Sequence, residues 1–220
     1  MTVRTLVTLA AFFVCALAFN QTALALIAVD PNGAYQIGYA ANLNIGDSVI
    51  NLSNDGFNGG VFGATPASAG NICVNTYVFD PQEEEISCCA CLVTPNGLNS
   101  LSALSDLISN NLTVAVPTSI TINLIASTPG TDGNGALTQC NASKPTTITT
   151  TSGMLAWGTT LAPAVPTGTY QPLPVHFLNG TLSGTELTGL TSLCNFIQSN
   201  ASGYGICKSC RVGALSGPKN

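Results

Sequence analysis

The chain has 220 residues, of which only 7% are charged, with five basic residues against ten acidic ones and a formal charge of −5. Nucleic acid is thereby disfavoured as a partner, because neutralising phosphates needs clustered Lys and Arg. Thr, Ser, Asn and Gly take the polar positions that charges usually fill, which leaves a surface that repels its own copies weakly.

The first residues place Arg4 before an apolar run from about Leu6 to Ala18, followed by small residues at Ala23 and Ala25. This reads as a secretory signal peptide over residues 1–25, cut after Ala25, with the Ala16–Leu17–Ala18 triplet as the second choice of site. The run is shorter than the roughly 20 apolar residues of a membrane span, and Asn20 and Gln21 interrupt it. Cys15 is expected to leave with the leader. No other segment is long and apolar enough to cross a bilayer as a helix, so residues 26–220 are expected to form a single exported domain in the periplasm, at the cell surface or outside the cell.

After the leader, LIAVDPNG is strand-like and ends in a turn. SVINLSNDG (48–56) alternates and stops at Asp-Gly, and NICVNTYVFDP (71–81) runs to a proline. Asp80 with Glu83, Glu84 and Glu85 follows. Calcium needs six to eight converging oxygens, which consecutive glutamates rarely supply, so these acids read as a solvated turn. NSLSALSDLISN (99–110) places Leu101, Leu104 and Leu107 or Ile108 on one helical face. LTVAVPTSITINLIASTPG (112–130) reads as two strands broken at Pro117.

Residues 128–145 form the longest expected loop, tethered by Cys140. Its Asp132-Gly-Asn134-Gly imitates the start of a calcium loop, but Ala136 stands where a further ligand is needed. TTITTTSGMLAWGTTLAP (146–163) is β-branched, and the prolines of TYQPLPVHFLNG (169–180) confine it to a sheet edge. SGTELTGLTSLCNFIQSN (183–200) pairs Ser183 with Glu186 at capping-box spacing. It then sets Leu187, Leu190, Leu193 or Cys194, and Ile197 along one face of a helix. Five Asn-x-Ser/Thr sequons, at Asn51, Asn111, Asn141, Asn179 and Asn200, are expected from a Ser/Thr/Asn-rich composition.

Without Cys15, eight cysteines remain: Cys73, Cys88, Cys89, Cys91, Cys140, Cys194, Cys207 and Cys210. An even number in an exported chain reads as four disulfides. Cys207-Lys-Ser-Cys210 has the spacing of a redox pair, but it follows a helix where that chemistry needs it to open one. Arg211 stands where covalent haem attachment would need histidine. Zinc is opposed by the adjacency of Cys88 and Cys89 and by the absence of two paired knuckles. On a strand Cys88 and Cys89 face opposite sides while Cys89 and Cys91 share one, so the three are expected to bridge to separate partners. At least one is expected to reach Cys194, Cys207 or Cys210.

No catalytic set can be named. His176 is the only histidine, and GALSG (213–217) has Ser216 one place from a nucleophile elbow. A glycosidase needs two carboxylates, and nothing nominates the pair. Trp157, the only tryptophan, reads as core in its apolar strand, with a sugar platform as the alternative.

The segments ICVNTYVFDPQEEEISCCACLVTPNGL (72–98) and NGTLSGTELTGLTSLCNFIQSNASGYGICKSCR (179–211) resemble an uncharacterised group of exported bacterial proteins. The resemblance covers most of residues 26–220 and implies an extracytoplasmic setting, with no activity or functional residues attached. The expected fold is mainly β, a disulfide-stapled β-sandwich or Greek-key barrel with one or two packed helices, at about 183–199 and 99–110. The expected role is structural, adhesive or binding, with a secreted hydrolase as the alternative. No metal or cofactor is nominated. The partners considered are a cell-surface component, carbohydrate, or a second copy joined by strand addition from residues 26–32.

Overall fold

The computed structural model describes residues 33–59, 68–144, 148–164, 166–208 and 210–212. The leader, the strand-like start at 26–32 and the GALSG string lie outside these residues. The strands are β1 (Tyr35–Ala40), β2 (Val49–Asn54), β3 (Ile72–Phe79), β4 (Glu85–Val93), β5 (Leu98–Ser102), β6 (Ile120–Ser127), β7 (Gly130–Thr131), β8 (Leu137–Gln139), β9 (Met154–Ala164), β10 (Thr169–His176), β11 (Leu178–Asn179) and β12 (Arg211–Val212). A π-helical turn, Ala103–Leu107, and one α-helix, α1 (Gly184–Ser199), complete the described elements. Ten strands form two five-stranded antiparallel sheets, ordered β11-β1-β6-β3-β4 and β10-β9-β2-β5-β12, while β7 and β8 make a separate hairpin.

Strand alternation builds the space between the sheets. Ile122 and Leu124 of β6 and Val74 of β3 point inward to meet Ile50 and Leu52 of β2 and Leu101 of β5, all essentially buried. The opposite face of the first sheet is also covered. There Tyr77, Cys88 and Ile125 pack against Leu190, Cys194 and Ile197 of α1. Burial on both faces explains why β3 and β6 read as nearly continuous apolar runs rather than as clean alternations.

The helix begins where its cap is written. The Ser183 hydroxyl accepts the Glu186 N–H at 3.0 Å, satisfying one of the donors that a helix N-terminus leaves free. Of the two alternatives for its inner face, Cys194 is buried and Leu193 is exposed.

Two stretches differ from the sequence reading. Within 99–110 only Ala103–Leu107 is helical, and the residues before it join the second sheet as β5. Leu98 and Leu101 keep the three-residue spacing of a helix, and the pairing of this stretch with β2 overrides it in favour of the strand. The first half of 112–130 is not a strand. Asn111 donates to the Ala115 carbonyl and the Thr113 hydroxyl, which curls the backbone away from a ladder and leaves Val114 and Val116 in solvent.

The C-terminal segment closes one side of the sandwich. The Cys88 N–H donates to the Gly205 carbonyl at 2.9 Å and the Cys207 N–H to the Cys88 carbonyl at 3.3 Å, so the free edge of β4 is partly occupied. The chain then pairs with β5 as β12. On the other side β10 lies at the edge of its sheet, with Pro172 and Pro174 removing two donors that a second chain would need.

Four disulfides fasten this arrangement: Cys73–Cys140, Cys88–Cys194, Cys89–Cys207 and Cys91–Cys210. Cys88 faces outward to α1, whereas Cys89 and Cys91 face inward to the C-terminal segment, as alternation on a strand requires. Cys140 ties the segment after β8 to β3. Cys207 and Cys210 are each bonded to β4 rather than to one another, so they form no dithiol redox pair.

Candidate functional site

A mismatch in strand length opens the one cleft that collects the tryptophan and the histidine. The β9 ladder with β2 covers Met154 to Gly158, but its ladder with β10 ends where His176 pairs with Trp157. From Met154 to Ala156 the β9 edge therefore has no strand beside it on that side. Gln36 of β1 fills the gap with its side chain, donating from Nε2 to the Met154 carbonyl at 3.0 Å and accepting the Ala156 N–H at Oε1 at 3.2 Å. A buried amide thus stands in for a missing peptide group, and the exposed ladder is not left unsatisfied.

Phe177 carries the chain from β10 in one sheet to β11 in the other. Its ring lies over Gly38, where a Cβ would come within 2.5 Å of the ring. Only glycine permits that approach, and it lets Phe177 seal the floor at 8% exposure. The register then sets Asn179 opposite Gln36.

The resulting cleft has a volume of about 560 Å³, within the range of small-molecule sites. Trp157 and His176, paired across β9 and β10, line the cleft together with Met154, Phe177, Asn179 and, just past the end of β2, Asp55. Asp55 is held by the end of β2. Its N–H donates to the Gly153 carbonyl at 2.9 Å, and its Oδ1 accepts the Phe57 N–H at 2.8 Å. Gly153 has φ +101° and would place a Cβ 3.0 Å from that same Oδ1, so a larger residue would push the carboxylate aside. Neither the Asn179 amide nor the His176 ring has a side-chain hydrogen bond among the described residues.

Trp157 is therefore not core. It is 39% exposed and presents its ring at the cleft wall. His176 is exposed beside it, as its edge-strand position implies. The cleft contains one carboxylate among the described residues, where glycosidase chemistry uses two.

The other candidates separate. Cys88, Cys194 and Glu85 bring their ligand-type atoms within 4.8 Å of one another, but the two sulfurs are bonded together and offer no thiolate. Asp80 uses Oδ1 to accept the Gln82 and Glu84 N–H groups, and Glu83 and Glu84 are exposed. Asp132 turns on its own loop, accepting the Ala136 and Asn134 N–H groups, which lower its pKa.

Glu85 is the exception in its acidic run, and the sequence reading missed it. At 6% exposure neither carboxylate oxygen has a hydrogen-bond partner. Burial pushes its pKa up to about 9, which makes it a neutral acid at pH 7.

Comparison with known proteins gives no match to a family, to a curated protein or to a solved structure.

Proposed function

We propose that the chain is an extracytoplasmic binding protein that holds a small ligand, or the end of a larger one, in the cleft between β10 and β11. The observation that carries this reading is the gathering in one cleft of a half-exposed indole with polar side chains from three separate strands or strand ends, Asp55, His176 and Asn179. Four disulfides and a sparsely charged surface support work outside the reducing cytoplasm. No helix among the described residues is long and apolar enough to cross a membrane.

Because Trp157 is the only tryptophan, its emission reports on this cleft without labelling. The purified protein should show a saturable change in emission with a subset of sugars, amines or peptides, and no turnover of chromogenic glycosides, esters or peptides. Turnover abolished by Asp55→Asn would overturn the binding reading in favour of a hydrolase. Absence of any saturable change across all three ligand classes would also count against it.

A further inference from the structure

We propose that the ligand of the Trp157 cleft is a neutral saccharide, an inference that rests on the binding reading above. Charge gives the first argument. Among the described residues the cleft holds no Lys or Arg, and Asp55 is its one acid. An anionic ligand would meet Asp55 as a like charge, with no Lys or Arg in the described lining to offset it.

Shape and hydrogen bonding narrow the remainder. A purely apolar ligand would strand Asp55, Asn179 and His176 without partners, at the cost that attends desolvated polar groups. Phe57 occupies Oδ1 of Asp55, leaving Oδ2 to accept. The Asn179 amide both donates and accepts, and a neutral imidazole does the same through its two nitrogens. A ligand that matches this set must itself carry groups that donate and accept at several points, and hydroxyls do both.

The tryptophan wall asks for the other property. Its π face is electron-rich and attracts polarised C–H groups laid flat against it. A pyranose has both features, an apolar face of C–H bonds and a rim of hydroxyls, so in an oligosaccharide one ring can lie against Trp157 while the hydroxyls of neighbouring rings meet Asp55 and Asn179 of the same lining. A quaternary amine would use the same indole, but recognition of such cations relies on a cage of several aromatic faces. Among the described lining residues Trp157 is the one Trp, Tyr or Phe ring left exposed, with Phe177 sealed into the floor.

Calorimetric titration with cellohexaose, xylohexaose, mannohexaose and maltohexaose tests this, with oligogalacturonate and tetramethylammonium as the anionic and cationic probes. At least one neutral oligosaccharide is expected to bind saturably. Trp157→Ala should weaken that binding about tenfold or more, and Trp157→Phe should restore part of it, as loss and return of an aromatic face demand. Asp55→Asn and Asn179→Ala should each weaken it severalfold while leaving the thermal unfolding midpoint near that of the parent.

Saturable binding of tetramethylammonium alone, lost in Trp157→Ala, would overturn the saccharide assignment and leave a binding protein. Release of reducing ends from a bound oligosaccharide would keep the ligand class and overturn the binding reading. Binding by none of the probes, or saccharide binding unchanged by Trp157→Ala, would overturn the proposal itself.

Discussion

Replacing Cys88 and Cys194 together by Ala is expected to lower the unfolding free energy by about 3 kcal/mol, less than their separation in sequence suggests. A bridge across 106 residues taken alone would contribute about 4.7 kcal/mol in the chain-entropy account. Here Cys89–Cys207 already joins the same two regions across 118 residues. With that link intact, the Cys88–Cys194 bridge closes a ring of only roughly 15 residues, for which the same account gives about 3 kcal/mol.

Removing all three links from β4 therefore costs about twice as much as one long loop, and less than three independent long loops would. The first two removals each open only a short ring and the last restores the full loop entropy, on the order of 10 kcal/mol in total, comparable with the whole stability of an ordinary domain. The double variant should remain folded with a lower urea midpoint. The variant lacking all six cysteines should be unfolded at 25 °C. A cost for the double variant as large as that of the sextuple one would contradict this shared-link account.

The second large effect belongs to Glu85. With its folded pKa raised to about 9 by burial and an unfolded pKa near 4.5, the folded state binds more protons than the unfolded one between those values. Stability is then greatest below about pH 4.5 and falls as pH rises towards 9, by up to about 1.4 kcal/mol per unit. Glu85→Gln keeps the shape and removes the titration. It should match the parent near pH 4 and exceed it progressively above pH 6 in urea unfolding. Parallel pH profiles for the two proteins would show that Glu85 is hydrated or paired in solution.

These features were legible in the sequence to different degrees. The start of α1 is local chemistry, Ser183 and Glu186 three residues apart, and so it was readable. The opposed directions of Cys88 and Cys89 follow from strand alternation alone, and with them the need for separate partners. The exposure of Trp157 was not readable. It depends on the register of β9, which sets Trp157 opposite Asn51 and His176 on the face of the sheet turned away from Ile50 and Leu52. Glu85 was hidden for a similar reason, since Cys194, on a helix about a hundred residues later, lies against it. The apolar residues of 99–110 keep a helical spacing throughout, and only the pairing with β2 turns its first residues into β5.

Disulfide mapping tests the central claim most directly, that this is an oxidised, exported sandwich with β4 tied to its C-terminal segment. Protein recovered from outside the cytoplasmic membrane should be alkylated under denaturing, non-reducing conditions, digested without reduction and analysed by mass spectrometry. The expected result is no alkylated cysteine among the eight and linked peptides pairing Cys73 with Cys140, Cys88 with Cys194, Cys89 with Cys207 and Cys91 with Cys210. Recovery from the cytoplasm with two or more labels per chain, or a Cys207–Cys210 bridge in place of the links to β4, would contradict it.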